Sequence, residues 1–330
     1  MPKVSVVVPN YNHARYLPER MASVLGQTFA DFEVILCDDC STDDSRDVIG
    51  QVARTDRRVR TCFNTVNSGS GYRQWNRGVG EAVGEYVWIA ESDDSADPEL
   101  LRTLVGLLDA HPRVGVAYCQ SLRIDERGEC LGSMAEWTSD IPTDRWHVGF
   151  VGNGVDECRR YLCLKNTIPN ASAILFRRSV FQAAGGAPDT FRLCADWLLW
   201  ATMLTQCDVA FTPEPLNRFR FESQSVTQSR KKDGTNAEES YRVARAIEAL
   251  TGIAPDALET ARQNMFYVWT HPLLAGEVFL SPSRANRIYR EARAFDPQIH
   301  PRLMRFLAQY IRVKTRQRLA LPSRKKGMNG

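Results

Sequence analysis

No apolar run in the chain approaches the ~18–20 residues that span a bilayer; the longest, Val4–Val8 and Tyr86–Ala90, have the length of buried strands. Histidine is scarce, 5 in 330 residues. Cys37 and Cys40 form a C-x-x-C, but no second such pair or nearby pair of histidines completes the four ligands of a zinc site. The nine cysteines are an odd number without repeating spacing, which suits a reducing compartment better than a disulfide framework. Internal repeats and long low-complexity tracts are absent. With 43% hydrophobic and 25% charged residues, collagen, coiled coil and wholesale disorder are excluded. The chain enters a strand directly after Met-Pro-Lys, without the apolar core of a signal peptide, so the expected location is the cytoplasm.

What is present is enough chain for a sizeable core and about two domains. Strand-like and helix-like segments alternate over residues 3–110: Lys3–Pro9, Phe32–Cys37, Val59–Phe63 and Tyr86–Ala90 read as strands, and Leu17–Gln27 and Tyr72–Ala82 as helices. This alternation predicts an α/β fold, a mostly parallel Rossmann-type sheet flanked by helices. After residue 111 the rhythm changes. Gly115–Gln120, Ser172–Phe176 and Asp208–Thr212 read as strands, Arg178–Ala184 and Asp196–Leu204 as helices, and residues 121–157 give no clear pattern. Residues 237–320 are helix-forming, with breaks near Gly252–Pro255 and Ser281–Pro282. The expected units are 1–110, 111–228 and a helical C-terminal region 229–330.

Two acidic pairs follow apolar strands: Asp38-Asp39, and Asp93-Asp94 within Glu91-Ser92-Asp93-Asp94. In open α/β sheets the carboxyl ends of the strands form the ligand crevice. Two acidic pairs there repel each other unless something positive joins them. Asp-Asp in a loop is also ordinary turn chemistry, but oxygen ligands after a buried strand suit a hard divalent cation.

Several motifs in order make the first two-thirds of the chain resemble the family 2 glycosyltransferases of the GT-A fold. They are Val4-Ser5-Val6-Val7-Val8-Pro9-Asn10-Tyr11-Asn12, Ser23-Val24-Leu25-Gly26-Gln27-Thr28-Phe29 and Phe32-Glu33-Val34-Ile35-Leu36 with Asp38-Asp39-Cys40-Ser41-Thr42-Asp43. Next come Gly78, Ala82, Gly84-Glu85-Tyr86, Ser92-Asp93-Asp94, Ala195-Asp196-Trp197, Phe219-Arg220 and Ser225-Val226-Thr227. The resemblance implies a GT-A-like sheet with a C-terminal helical extension and inverting transfer of a sugar from a UDP-, dTDP- or GDP-type nucleotide-diphosphate sugar. The implied acceptor is a glycan or a lipid-linked molecule. It implies that Asp39 contacts the base or ribose, with Pro9 and Tyr11 on the nucleotide side. Asp93 would contact the ribose or metal, Asp94 would ligate Mn2+ or Mg2+, and Asp196 would be the general base. In-line displacement requires such a base for the acceptor hydroxyl.

Two positions depart from the family pattern. Trp75-Asn76-Arg77-Gly78 lacks the Arg expected before Asn76, so Arg73 or Arg77 is expected to serve the diphosphate, and Glu222 stands where the family often has a His. Alternatives are a degenerate, non-catalytic nucleotide-sugar-binding protein, or a metal-dependent nucleotidyltransferase. The latter generally needs a Gly-rich basic loop where this chain has Asn10-Tyr11-Asn12-His13. His13 itself reads as a loop residue within reach of a phosphate. Residues 300–330 carry nine Lys and Arg and no acid against a net charge of +3, so the body sums to −6. Leu303, Phe306, Leu307, Tyr310, Ile311 and Lys314 fall on one helix face. That pattern fits a peripheral contact with anionic lipid on the inner face of the membrane, or a terminal helix packed on the body. It lacks the aromatic–basic interleaving of nucleic-acid binding.

Overall fold

The structure, a computed structural model, describes residues 1–221 and 233–320. Glu222, Ser225-Val226-Thr227 and the last basic residues, Arg324, Lys325 and Lys326, lie outside the described residues. The elements run β1 (Val4–Asn10), α1 (Leu17–Leu25), β2 (Phe32–Asp38), α2 (Ser45–Thr55), β3 (Val59–Phe63), α3 (Gly71–Glu81), β4 (Tyr86–Ile89), β5 (Ser95–Ala96) and α4 (Leu100–Ala110). There follow β6 (Val114–Ile124), β7 (Cys130–Ser133), β8 (Phe150–Gly152), α5 (Gly154–Glu157), β9 (Ile174–Arg177), α6 (Arg178–Ala183), α7 (Ala195–Leu204) and β10 (Asp208–Arg220). The last four helices are α8 (Thr235–Thr251), α9 (Pro255–Ala275), α10 (Pro282–Phe295) and α11 (Ile299–Ala320).

One mixed sheet has the order β3-β2-β1-β4-β9-β6-β10-β5, with β7 beside β6 and β8 beside β10. β3, β2, β1 and β4 are parallel, as their alternation with helices predicts. β9 enters between β4 and β6 antiparallel to both. It therefore brings its starting end to the carboxyl edge of β4, the edge where the acidic pairs lie. β10 is far longer than the Asp208–Thr212 expected. Pro213 and Pro215 interrupt its pattern, and register shifts between Thr212 and Asn217 absorb them. β1 does not stop at Pro9: its pairing with β4 ends at Val7–Ile89, so at Pro9 only the β2 side needs pairing and the missing N–H goes unnoticed.

Side-chain alternation along β1 splits the core into two layers. Val4, Val6 and Val8 pack with Leu17 and Met21 of α1, Ile49 of α2 and Leu104 of α4. Val7 packs on the opposite face with Trp75 and Val79 of α3 and Trp200 of α7, in one cluster with Tyr241, Trp269 and Phe295 of the C-terminal helices. That close approach explains Gly78. A Cβ there would lie 2.2 Å from Val7 Cγ1, so only glycine lets α3 lie on β1. At the C-terminus the expected apolar face of α11 divides: Leu303 packs on the core and Phe306 meets the Phe266 ring at 5.4 Å, while Met304, Leu307 and Ile311 are exposed.

Candidate functional site

The carboxyl edge of β1, β2 and β4 gathers the acidic residues. Asp38 is buried and accepts from Asn10 Nδ2 (3.0 Å), Ser41 Oγ (2.5 Å) and Arg46 Nε (3.1 Å), so it ties the loops after β1 and β2 together. Asp39 is equally buried and organises the loop after β3. Its Oδ1 accepts from Asn64 Nδ2 (2.5 Å), the Ser68 amide (2.8 Å) and Gln74 Nε2 (2.8 Å), and its Oδ2 from Ser68 Oγ (2.7 Å). Tyr11 stands 46% exposed at the mouth of this pocket edge, and Pro9 lies buried in β1 behind it. Arg73 is half-exposed, donating to the Ser68 carbonyl oxygen (3.1 Å) and pairing with Asp189 (3.3 Å). Arg77 turns instead toward the Phe63 carbonyl oxygen at the end of β3. His13 Nδ1 lies 2.8 Å from Ser92 Oγ, which brings it to the second acidic pair.

That pair is built from three directions. β5 pairs with Asn217 and Arg218 of β10, which folds the Asp93-Asp94 turn onto the end of β10. Asp94 Oδ1 accepts the Arg220 amide (2.9 Å), and Arg220 Nε donates to the Asp93 carbonyl oxygen (2.6 Å). Asp94 Oδ2 accepts from Asn170 Nδ2 (3.1 Å), delivered by the incoming end of β9. Burial first, and the Asp93 charge second, push the Asp94 carboxyl above the usual carboxylate range. Glu91, part-buried beside them, is pushed up to about 8 by burial and the Asp93 charge, against the indole N–H of Trp75 at 2.6 Å. The positive charge that joins these acids is Arg20. Its fully buried guanidinium donates Nε to the Glu91 carbonyl oxygen (2.7 Å) and Nη2 to Ser172 Oγ (3.0 Å), and stacks on Trp88. In the sequence Arg20 falls on the same stripe as Leu17, Met21 and Val24. A charge on an apolar stripe was the available signal.

Asp196 starts α7 across the cleft. Its Oδ2 accepts from Asn166 Nδ2 (3.0 Å), and its Oδ1 is buried with no hydrogen-bond partner among the described residues. Burial pushes its pKa up to about 7, with the Glu239 charge adding and the Trp197 amide and Asn166 opposing. Asn166 and Asn170 are the ends of one short segment, and each touches one acid. Four residues span at most ~14 Å extended, which bounds how far apart the two asparagine-bound acids, Asp94 and Asp196, can lie. Both amides are oriented by their own backbone: Asn166 Oδ1 accepts the Ile168 amide (3.2 Å) and Asn170 Oδ1 the Ser172 amide (2.6 Å). The turn before α7 is held from the C-terminal region, where buried Glu239 of α8 accepts the amides of Arg192, Leu193 and Cys194 at 2.8, 2.8 and 3.0 Å. Asn166, Asn170, Ser172 and Glu239 carry no motif, and nothing in their neighbourhood in sequence announces them.

Helix α3 braces the two sides. Gln74 reaches Asp39, Trp75 reaches Glu91, Tyr72 OH donates to the Leu193 carbonyl oxygen (3.0 Å), and the Asn76 amide pairs with both backbone groups of Ala187 at 2.8 Å. Among the described residues no three His, Cys, Asp or Glu side chains are placed to enclose a metal. The donor set at Asp93-Asp94 is two hard carboxylates, one of them buried and held above its usual pKa, which a divalent cation relieves. It fits a cation that takes its remaining ligands from water and substrate phosphates.

A family model described as glycosyl transferase family 2 matches residues 5–184. Among curated relatives, an uncharacterised glycosyltransferase of Nostoc sp. is 39% identical over 117 residues, 35% of this chain and 36% of the relative. The putative teichuronic acid biosynthesis glycosyltransferase TuaG of Bacillus subtilis is 39% identical over 93 residues, 28% of this chain and 36% of the relative. The chain thus spans about a third of the length of these relatives. Among solved structures, Staphylococcus aureus TarS residues 1–349 in complex with UDP-GlcNAc has a TM-score of 0.66 at 17% identity, covering 89% of this chain and 80% of that one. The mannosyltransferase PcManGT of Pyrobaculum calidifontis in complex with GDP-Man and Mn2+ has a TM-score of 0.58 at 20% identity, covering 94% and 81%. At these identities the likeness is one of fold.

Proposed function

This chain belongs to glycosyl transferase family 2, and we propose that it transfers a sugar from a nucleotide-diphosphate sugar to an acceptor hydroxyl with inversion at the anomeric carbon. The observation that supports the reading is the segment 166–170, whose two terminal asparagines donate one to Asp196 and the other to Asp94. Asp196 is the base. Asn166 fixes Oδ2 and leaves the unpartnered Oδ1 to take the proton of the attacking hydroxyl. With a pKa of about 7 it is a stronger base than an ordinary Asp and is still half ionised at neutral pH. Asp94, with Asp93 beside it, would hold Mn2+ or Mg2+, which when bound supplies Lewis-acid stabilisation of the departing diphosphate. Arg20 and Arg220 keep the acidic turn fixed for that task.

On the donor side, Asp39 shapes the nucleoside edge through the loop 64–70, and the base or ribose exchanges with one of the loop's donors on its carboxylate. Tyr11 flanks the base, with Pro9 as the rigid wall behind, and Arg73 is the exposed cation for the diphosphate. TuaG is named for teichuronic acid biosynthesis, and TarS of Staphylococcus aureus is named a poly(ribitol-phosphate) beta-N-acetylglucosaminyltransferase; a glycan or lipid-linked acceptor in cell-envelope or other glycoconjugate biosynthesis is the role we infer here. The exposed Met304, Leu307 and Ile311, beside the basic C-terminus, would bring the chain to an anionic membrane surface.

The test is a thermal-shift panel of UDP-, dTDP- and GDP-sugars with Mn2+. One of them should stabilise the chain by mass action, about 2.7 kcal/mol at a hundredfold excess over Kd. Asp196→Asn should keep that shift and lose transfer. A panel without any shift, or full transfer by Asp196→Asn, would overturn the proposal.

A further inference from the structure

A partly exposed tryptophan is linked to the candidate base through Asn166. A short 3-10 turn, Met134–Thr138, follows β7 and carries Trp137, whose side chain is 41% exposed. An amphipathic ring whose polar end is bonded and whose apolar edge stays accessible suits a contact surface. This ring is firmly anchored. Its Nε1 donates to the Asn166 carbonyl oxygen at 2.7 Å, and the Lys165 ammonium lies 4.4 Å from the ring centroid. Lys165 is itself fixed by the Trp137 carbonyl oxygen (2.6 Å) and by both Asp140 carboxylate oxygens (2.9 and 3.0 Å). Asn166 continues the connection, because its side chain donates to Asp196. A single residue therefore separates the indole from the carboxylate that receives the acceptor's proton.

We propose that Trp137 is the acceptor platform and that the acceptor is a saccharide, one of whose rings lies with its C–H face on the indole. The inference rests on the reading of Asp196 as base and deepens it by naming the acceptor class. The chemistry of the surface selects among acceptors. The indole N–H is already spent on Asn166 and Lys165 covers one face, so the exposed remainder of the ring offers apolar area but no donor, which matches the C–H face of a pyranose. A phosphate-bearing polyol would need a free cation, and the nearby cation, Lys165, is neutralised by Asp140. A long-chain lipid alcohol would need an extended apolar groove, and the cavity that Trp137 lines with Met134, Trp146, Ile168 and Pro169 is too small for one, about 20 Å³.

The experiment is saturation-transfer NMR on the full chain with methyl glucoside, methyl galactoside and methyl N-acetylglucosaminide as ring probes, and with glycerol and ribitol 5-phosphate as probes without a ring. Transfer to the ring protons of at least one glycoside is expected for the native chain and for Trp137→Phe, and none for Trp137→Ala. In turnover, Trp137→Ala should raise the acceptor KM about ten-fold, the scale of one aromatic contact, with kcat little changed. A merely structural role would lower kcat and would not be rescued by Phe. Should Trp137→Ala fail to fold, Trp137→Gln, which keeps a donor for the Asn166 carbonyl oxygen and removes the ring, serves in its place. Glycoside signals that survive loss of the ring, no glycoside signal in the native chain, or Trp137-dependent binding of ribitol 5-phosphate instead would each overturn the proposal. Donor-induced thermal stabilisation is unaffected by these variants, so its absence would report failure of the transferase reading alone.

Discussion

Removing the side chain of Asn166 should move the acid limb of the pH–rate profile upward. Four groups act on Asp196: the Trp197 amide and its own backbone amide within α7, the Asn166 side-chain amide, and the Glu239 carboxylate from α8. Burial pushes the carboxyl up to about 7, and Asn166 holds it from rising further. A hydrogen bond to a charged group contributes about 1.5–3 kcal/mol. At 1.36 kcal/mol per pKa unit, Asn166→Ala then raises the pKa by about 1–2 units. The base acts in its ionised form, so kcat/KM rises with pH through this pKa. At pH 7 the ionised fraction falls from about a half to between about 9% and 1%, a loss of ~5- to 50-fold. Near pH 9 activity should return to within about two-fold of the native chain. The assay is kcat/KM for donor turnover between pH 5.5 and 9.5. An acid limb that stays in place, with a loss that is the same at every pH, would show that Asn166 does not set the protonation of the base.

Arg20→Met should be among the most damaging single changes. It leaves Glu91, Asp93 and Asp94 without their buried cation, and a loss of about 3–5 kcal/mol in urea unfolding is expected; a loss under 1 kcal/mol would show that the cluster is balanced by other groups. Glu239→Gln should lower kcat by about ten-fold while leaving nucleotide-sugar stabilisation intact, because the amide nitrogen introduces a donor facing the three amides that fix the turn before α7. Steady-state kinetics beside thermal shift separates the two, and an unchanged kcat would remove the coupling. Gly78→Ala should destabilise by about 1–3 kcal/mol through the clash with Val7, less the helix propensity gained. Val7→Ala in the same chain should recover part of that loss, and additive losses would refute the contact.

What could be read from the sequence was whatever the local pattern encodes. The alternation of Val4, Val6 and Val8 against Val7 decides two faces of one strand, and strand–helix rhythm decides that β1 to β4 are parallel. The acidic turns are visible because Asp after an apolar run has few neighbours to be confused with. The insertion of β9 was not readable. A four-residue strand carries no sign of its direction, yet its reversal is what delivers Asn170 and Ser172 to the carboxyl edge of β4. Asn166 and Glu239 acquire their roles only through contacts with residues 30 and 45–47 positions away. The extension of β10 past two prolines was hidden because the partner strand, not the residue, decides whether a missing N–H matters. Arg20 stood on a visible stripe, and the weight of apolar spacing concealed a buried charge.

Trp75 bears on whether the site is a working one. The family pattern places an Arg there, and its loss is the feature that keeps a degenerate reading in view. The indole takes over the connection: Nε1 donates to Glu91 at 2.6 Å, so the link from α3 to the acidic turn survives. What is absent is a positive charge at this position of α3. Glu91 answers this without another residue changing, since its pKa of about 8 lets it keep its proton at neutral pH. The exchange also gains packing, since Trp75 meets Tyr72 edge-on at 5.0 Å and stacks on Trp200 of the helix that carries Asp196 at 6.1 Å. A site decaying by drift would leave Glu91 buried and unpartnered, and would leave a gap between α3 and α7. Here Trp75 both bonds Glu91 and fills the space between α3 and α7.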